Sequence, residues 1–305
     1  MSRLAIAAIL ALPAAGAAYL AVLAATLPDV AVLAHENPRA TAYMRLRAQE
    51  AGSPGILPRT RWTPLDSVPA LLACAVVKAE DRAFFQHHGI DWGPTRGAAG
   101  GLLTGGAGGA STLSQQLARN VYLGPERTLH RKLREGMIAR RLDARLGKRR
   151  ILELYLNRVE WGDGVWGVDA AARHHLGKPL DEVEPFEAAV LASMLAAPRQ
   201  PLRGPNLERA QLVQRRVVRQ LYGAGLLDED GWRVAITRVF ALREGLRRGW
   251  SFKHALDEAR RMPGLPVPVP PRPLDRPLPS DSALDAACGY DTESENERLI
   301  TRTQT

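Results

Sequence analysis

The chain has 305 residues and a formal charge of +9, with 41 Lys+Arg against 32 Asp+Glu. Lys78, Lys132, Lys148, Lys178 and Lys253 are the only lysines; the rest of the excess is arginine, the better fork for phosphate and carboxylate oxygens, which leaves nucleic acid, anionic lipid headgroups and a phosphorylated substrate open. Two cysteines, Cys74 and Cys288, exclude a disulfide framework and offer no metal-ligand spacing.

Leu4 to Leu27 carries no charged residue. As a helix it would be about 36 Å long, enough for a hydrocarbon core of about 30 Å. A cleaved signal peptide is the rival, but its apolar region is normally only about 7–15 residues. The reading is an uncleaved transmembrane anchor over residues 1–27. Arg3 on one side faces Arg39, Arg45 and Arg47 on the other, so charge does not orient it. Residues 28–61 form a connector, kept from long helices by Pro38, Pro54 and Pro58.

From Leu65 to about Leu227 the pattern is helical, with no alternating strands, no βαβ rhythm and no repeat. The spacing predicts a helix over Asp66–His88, with Ala73, Val76, Val77, Glu80, Phe84 and His87 on one face. A carboxylate on that stripe is desolvated, which raises its pKa and suits it to proton transfer near neutral pH. An ion pair of Glu80 with Lys78 or Arg82 is the structural alternative. Gly97 to Ala110 is a glycine-rich segment that lacks the end of a Walker loop and reads as a mobile loop.

Thr112 and Gln115 fit a capping box, so a helix starts there and runs to about Leu123. Gln116, Arg119 and Asn120 share its polar face, opposite Leu113 and Leu117. Two amides and an arginine suit recognition of sugar or phosphate oxygens. Arg131 and Lys132 lie four and three residues before Glu135, spacings that pair charges on a helix. Ile151, Leu152, Tyr155 and Leu156 make an apolar face, with Glu153 and Asn157 together on another side. Trp161 and Trp166 fall in a glycine-broken loop, where core packing explains them better than sugar stacking. Phe186 to Ala197 is a core helix. Residues 228–262 read as a basic helical extension, solvated rather than membrane-bound because its apolar face is poor. Residues 263–305 read as a proline-rich, polar, disordered tail without chemistry.

In order and spacing, EDRAFFQHHGIDW, GASTLSQQLARN, RKLRE, KRRILELYLNRVEWG and EAAVLASMLAAPRQP resemble the five motifs of the peptidoglycan glycosyltransferases of family 51. The resemblance spans a domain assigned to 62–227. It implies a mainly α, lysozyme-like fold with one N-terminal transmembrane helix. It also implies an enzyme that polymerises lipid II, a disaccharide-pentapeptide on undecaprenyl pyrophosphate, into a growing glycan chain. The catalytic domain would then face the periplasm from the bacterial inner membrane.

By the same resemblance Glu80 is the general base and Glu135 the second essential glutamate. Asp81, Phe84, His87, Thr112, Gln116, Arg119, Asn120, Arg131, Lys132, Glu153 and Asn157 match substrate-site positions. Arg119 stands where lysine is common, and Ala196 where some bifunctional relatives carry lysine. No Ser-x-x-Lys or Lys-Thr-Gly accompanies the motifs, so the resemblance is to the monofunctional, biosynthetic transglycosylases. No cofactor is required; a Mg or Mn ion bridging Glu135 and pyrophosphate is chemically allowed, though no ligand cluster asks for one. Cell-division or elongation proteins are candidate partners, and nucleic acid is not. A glycan-cleaving muramidase or lytic transglycosylase of similar fold, and a non-catalytic lipid II-binding scaffold, are the alternatives.

Overall fold

The computed structural model describes residues 3–58, 60–92, 111–270 and Cys288, with backbone only for residues 3–10 and 12. The Gly97 to Ala110 segment lies outside the described residues, as does all of the tail beyond residue 270 except Cys288. Helix α1 (Arg3–Ala25) leads into a 3-10 turn (Ala31–Ala34) and α2 (Ala42–Glu50). The central helix α3 (Ala70–Glu80) is followed by α4 (Leu113–Tyr122) and the long α5 (Leu129–Arg158). A small antiparallel hairpin, β1 (Glu160–Gly162) and β2 (Val165–Trp166), pairs Glu160 with Trp166. Helix α6 (Val168–Ala171), α7 (Pro185–Met194), α8 (Gly204–Gly223), α9 (Glu229–Arg247) and α10 (Phe252–Arg261) complete a mainly helical molecule. Among the described residues no helix is long and apolar enough to cross a membrane.

Every residue of α3 from Leu72 to Lys78 is buried. A helix apolar on all sides belongs in the middle of a core, and α3 packs against α7 and α8. Ile151, Leu154 and Leu156 of α5, Phe186 and Val190 of α7, and Val217 and Leu221 of α8 join it in one cluster. Trp161 is fully buried and donates its indole N–H to the Leu156 carbonyl at 3.2 Å, while Trp166 is 3 % exposed. Both tryptophans therefore serve packing, as their loop setting suggested, but on a hairpin rather than an irregular loop.

Three expectations need correcting. The helix predicted over Asp66–His88 stops at Glu80, and Asp81 leaves it with φ −157° and ψ 81°. The extension is not a pair of solvated helices. Trp232, Ala235, Ile236, Val239 and Leu242 recur at helical spacing and are buried in the main core, with Ala255, Leu256 and Ala259 of α10. Arg260 of α10 also reaches the fully buried Glu187 of α7 at 2.7 Å, where Lys178 makes a second ion pair at 2.7 Å. A charge buried this completely is tolerated because both carboxylate oxygens are occupied.

The third correction concerns the cysteines: Cys74 of α3 and Cys288 form a disulfide across a sequence separation of 214. Spacing could not find it, because a single long-range bridge leaves no pattern. Constraining so long a loop in the unfolded chain is worth about 2–5 kcal/mol. The double substitution C74A/C288A, or a reductant added to the native chain, is expected to lower the thermal midpoint accordingly. A midpoint unmoved by both treatments would count against the bridge.

Candidate active site

The site is assembled at the end of α3. Asp81 turns out of the helix because its carboxylate caps another one: Oδ2 accepts the Leu113 N–H of α4 at 2.8 Å and pairs with His87 Nε2 at 2.9 Å. An anion is favoured at that helix N-terminus. Thr112 completes the cap. Its hydroxyl accepts the Gln115 N–H at 3.1 Å and donates to the Gly89 carbonyl at 2.7 Å, and Gln115 Oε1 accepts the Thr112 N–H in return. Gly89 has φ +84°, and a Cβ there would lie 2.6 Å from the Ala139 carbonyl oxygen. Only glycine lets this turn press onto α5.

This framework points Glu80 toward α4. Gln116 donates to Glu80 Oε2 at 2.9 Å and, from the same Nε2, to the Ser111 carbonyl at 3.3 Å. Tyr155 of α5 donates its hydroxyl to Gln116 Oε1 at 2.8 Å. Burial raises the Glu80 pKa; the Gln116 hydrogen bond and the charges of Arg209, Arg119 and Arg216 pull the other way without cancelling it. The C-terminal end of the α3 dipole acts in the raising direction as well. Among the described residues Glu80 Oε1 has no hydrogen-bond partner.

The second cluster lies on α5. Glu135 is 1 % exposed. Its Oε2 binds Arg131 and its Oε1 binds Lys132 in two close ion pairs. Lys132 also donates to Ser111 Oγ at 3.1 Å. Ser111 thus links the two glutamates: its carbonyl serves Gln116 beside Glu80, and its hydroxyl serves Lys132 beside Glu135. A groove of about 580 Å³, lined by Arg45, His130, Arg131 and Arg134 among others, opens beside Arg131. A larger cavity of about 780 Å³, between the β-hairpin, α7 and α10, contains none of the predicted site residues.

The remaining predicted positions divide by what they touch. Gln116, Arg119, Arg131, Lys132, Glu80 and Glu135 line this connected polar site. Asp81, Phe84, His87 and Thr112 are buried beneath it; Asp81 ties the end of α3 to the start of α4 and is held by His87, and Lys148 of α5 lies over the Phe84 ring at 4.9 Å. Asn120 donates to the Gln116 carbonyl one turn earlier at 2.8 Å. Glu153 and Asn157 do share a face, but it grips the first residues after the connector: Trp62 Nε1 donates to Glu153 at 2.9 Å, and Asn157 exchanges two 2.8 Å hydrogen bonds with the Thr63 backbone. Ala196 is exposed just beyond the end of α7.

Four participants were not singled out from sequence. Ser111 and Tyr155 bridge the site, and Arg209 and Arg216 bring charge to Glu80 from α8. Arg216 donates to the Ala79 carbonyl at 3.2 Å. Among the described residues the buried Nε of Arg216 and that of Arg119 have no acceptor, while both guanidinium charges act on Glu80. Arg209 and Arg216 are spaced by seven, which puts them on one face of α8; that pattern was legible but resembles any solvated helix.

Among the described residues no three metal-ligating side chains converge. Both oxygens of Glu135 hold a cation already, so a divalent ion there would have to displace Arg131 or Lys132. The donor set does not fit a metal.

Residues 55–222 match the family described as Transglycosylase. The biosynthetic peptidoglycan transglycosylase of Rhodospirillum centenum is 46 % identical over 167 residues, covering 53 % of this chain and 69 % of that protein. The one from Aromatoleum aromaticum is 42 % identical over 191 residues, covering 60 % and 83 %. That from Alcanivorax borkumensis is 41 % identical over 194 residues, covering 62 % and 77 %. With more than half of its length matched and a connected two-glutamate site inside the match, the chain belongs to the transglycosylase family.

Proposed function

We propose that this transglycosylase, a peptidoglycan glycosyltransferase, polymerises lipid II into β-1,4-linked glycan with Glu80 as general base. The setting of Glu80 carries the assignment of the base: one oxygen is held by Gln116, the other has no donor among the described residues, and Arg209, Arg119 and Arg216 bring positive charge to it. In the reaction the 4-hydroxyl of an acceptor GlcNAc gives its proton to Glu80 Oε1 as its oxygen attacks C1 of a donor MurNAc. The C1–O bond to pyrophosphate breaks and its electron pair leaves with undecaprenyl pyrophosphate. A single displacement inverts the α-linked donor to a β bond.

Pyrophosphate is a fair leaving group that needs its charge neutralised more than it needs a proton. Arg131 and Lys132, oriented by Glu135, supply donors for it, and Arg119 adds positive charge near Glu80. No metal is needed for this step. The chemistry also distinguishes the reading from glycan cleavage, which has no pyrophosphate for these cations to meet.

The single-pass anchor and the periplasmic location belong to the same proposal. The anchor rests on the sequence: Leu4 to Leu27 carries no charged residue, which suits a hydrocarbon core. Arg141 and Arg134 of α5 donate to the Ala24 and Thr26 carbonyls at 2.9 and 3.2 Å, which ties the end of α1 to the helix that carries Glu135. Such a tether would hold the cleft at the lipid surface and raise the effective concentration of a lipid-borne substrate. The Cys74–Cys288 disulfide supports an oxidising compartment.

The test is incubation of the purified full chain with labelled lipid II in detergent. Glycan polymer and free undecaprenyl pyrophosphate are expected. Cleavage of finished glycan without polymer formation would overturn the reading.

A further inference from the structure

We infer that Tyr155 is a positioning residue for the base: its hydroxyl fixes the amide of Gln116 so that the NH₂ group, never the carbonyl, faces Glu80. The inference rests on the reading of Glu80 as general base. It follows from which groups can donate. The Ser111 carbonyl and the Glu80 carboxylate, at 3.3 and 2.9 Å from Gln116 Nε2, are both acceptors. The NH₂ end of the amide satisfies both of them. Gln116 Oε1 is then turned away, and it needs a donor. Tyr155, 1 % exposed, provides one at 2.8 Å.

The phenol can play this part only while protonated. Burial first, then the nearby charge of Glu80, hold the Tyr155 pKa well above the usual phenol range; Arg119 opposes them and Asp81 adds a smaller push upward. The proton therefore stays on Tyr155 throughout the working range of the enzyme, and the hydroxyl acts as a fixed donor rather than as an acid. A reversed amide would set a carbonyl dipole against Glu80 and favour its protonated form. The charged groups that face Glu80 are Arg119 from α4 and Arg209 and Arg216 from α8. None of them constrains the Gln116 amide directly, so they remain as a constant background when Tyr155 is changed.

Tyr155→Phe removes one oxygen from a buried ring and leaves its apolar packing in place. With lipid II as substrate, kcat at neutral pH is expected to fall about tenfold, the worth of one well-placed hydrogen bond, with KM changed much less. The acidic limb of the pH–kcat profile is expected to move to higher pH. The double variant Y155F/Q116A should be no slower than Q116A, because the hydroxyl acts only through that amide. A wild-type profile for Y155F, or additive losses in the double variant, would overturn the inference.

Thermal midpoints are read alongside. If Y155F does not fold, Gln116→Glu tests the same geometry. It keeps an acceptor for Tyr155 but puts a second carboxyl against Glu80, and an unmoved acidic limb would sink the idea. The Glu80→Gln variant separates the two failures. If it remains active, the base assignment falls; if it is inactive while Y155F is normal, only the role of Tyr155 falls.

Discussion

Glu80→Gln is expected to slow lipid II polymerisation by about 10²–10⁴-fold, the usual contribution of a positioned base. The substitution leaves an oxygen that can accept the Gln116 N–H, so the thermal midpoint should change little and the loss should read as chemistry. The pH dependence provides a second readout. A base must be ionised to act, and burial raises the Glu80 pKa above the ordinary 4.5. Wild-type kcat should therefore climb as pH rises through that raised value and then level off. The residual rate of the variant should lack this limb. A variant within tenfold of wild type, or a wild-type limb centred at or below the ordinary value, would remove Glu80 from the role.

Glu135→Gln should give a loss of similar size by a different route. The carboxylate at 1 % exposure is the common partner of Arg131 and Lys132. An amide can accept from only one of them, and its NH₂ would face the other cation. Loss of the two oriented charges is expected to lower polymerisation by about 10²–10³-fold, in the range seen when one preorganised donor to a developing charge is removed. The acidic limb assigned to Glu80 should persist, which separates the two glutamates experimentally.

Some stability should go as well. Breaking a fully buried ion pair costs about 3–5 kcal/mol, but Arg131 and Lys132 keep 15 % and 23 % of their side chains exposed, so water recovers part of that. A stable, fully active Glu135→Gln protein would show that the cations need no buried orienting group.

The capping box at Thr112 and Gln115 and the Arg131–Lys132–Glu135 triplet were legible in the chain because both are written in spacings of three and four. Their geometry is local: a helix of any origin brings such residues together. The extension after Leu227 was misread for a related reason. Trp232, Ala235, Ile236, Val239 and Leu242 do form a stripe, but the many arginines between them mimic a solvated helix. Whether a stripe is buried depends on whether a partner face exists, and α8 supplies one.

What the sequence determined by itself, through the order of its motifs, was a transglycosylase; the resemblance also singled out Glu80, Glu135 and their arginine and lysine neighbours as the expected site. Tertiary structure decided the rest, because those contacts join residues with no local relation. Helix α3 ends at Glu80 because Asp81 is drawn 32 residues along the chain to the start of α4. Tyr155, an apolar-face residue by its spacing, reaches Gln116 39 residues away. Glu153 and Asn157 grip Trp62 and Thr63 more than 90 residues earlier. Cys74 finds Cys288 at the far end of the chain. Periodicity reports which face a residue occupies; only the packed molecule determines what waits on the other side of that face.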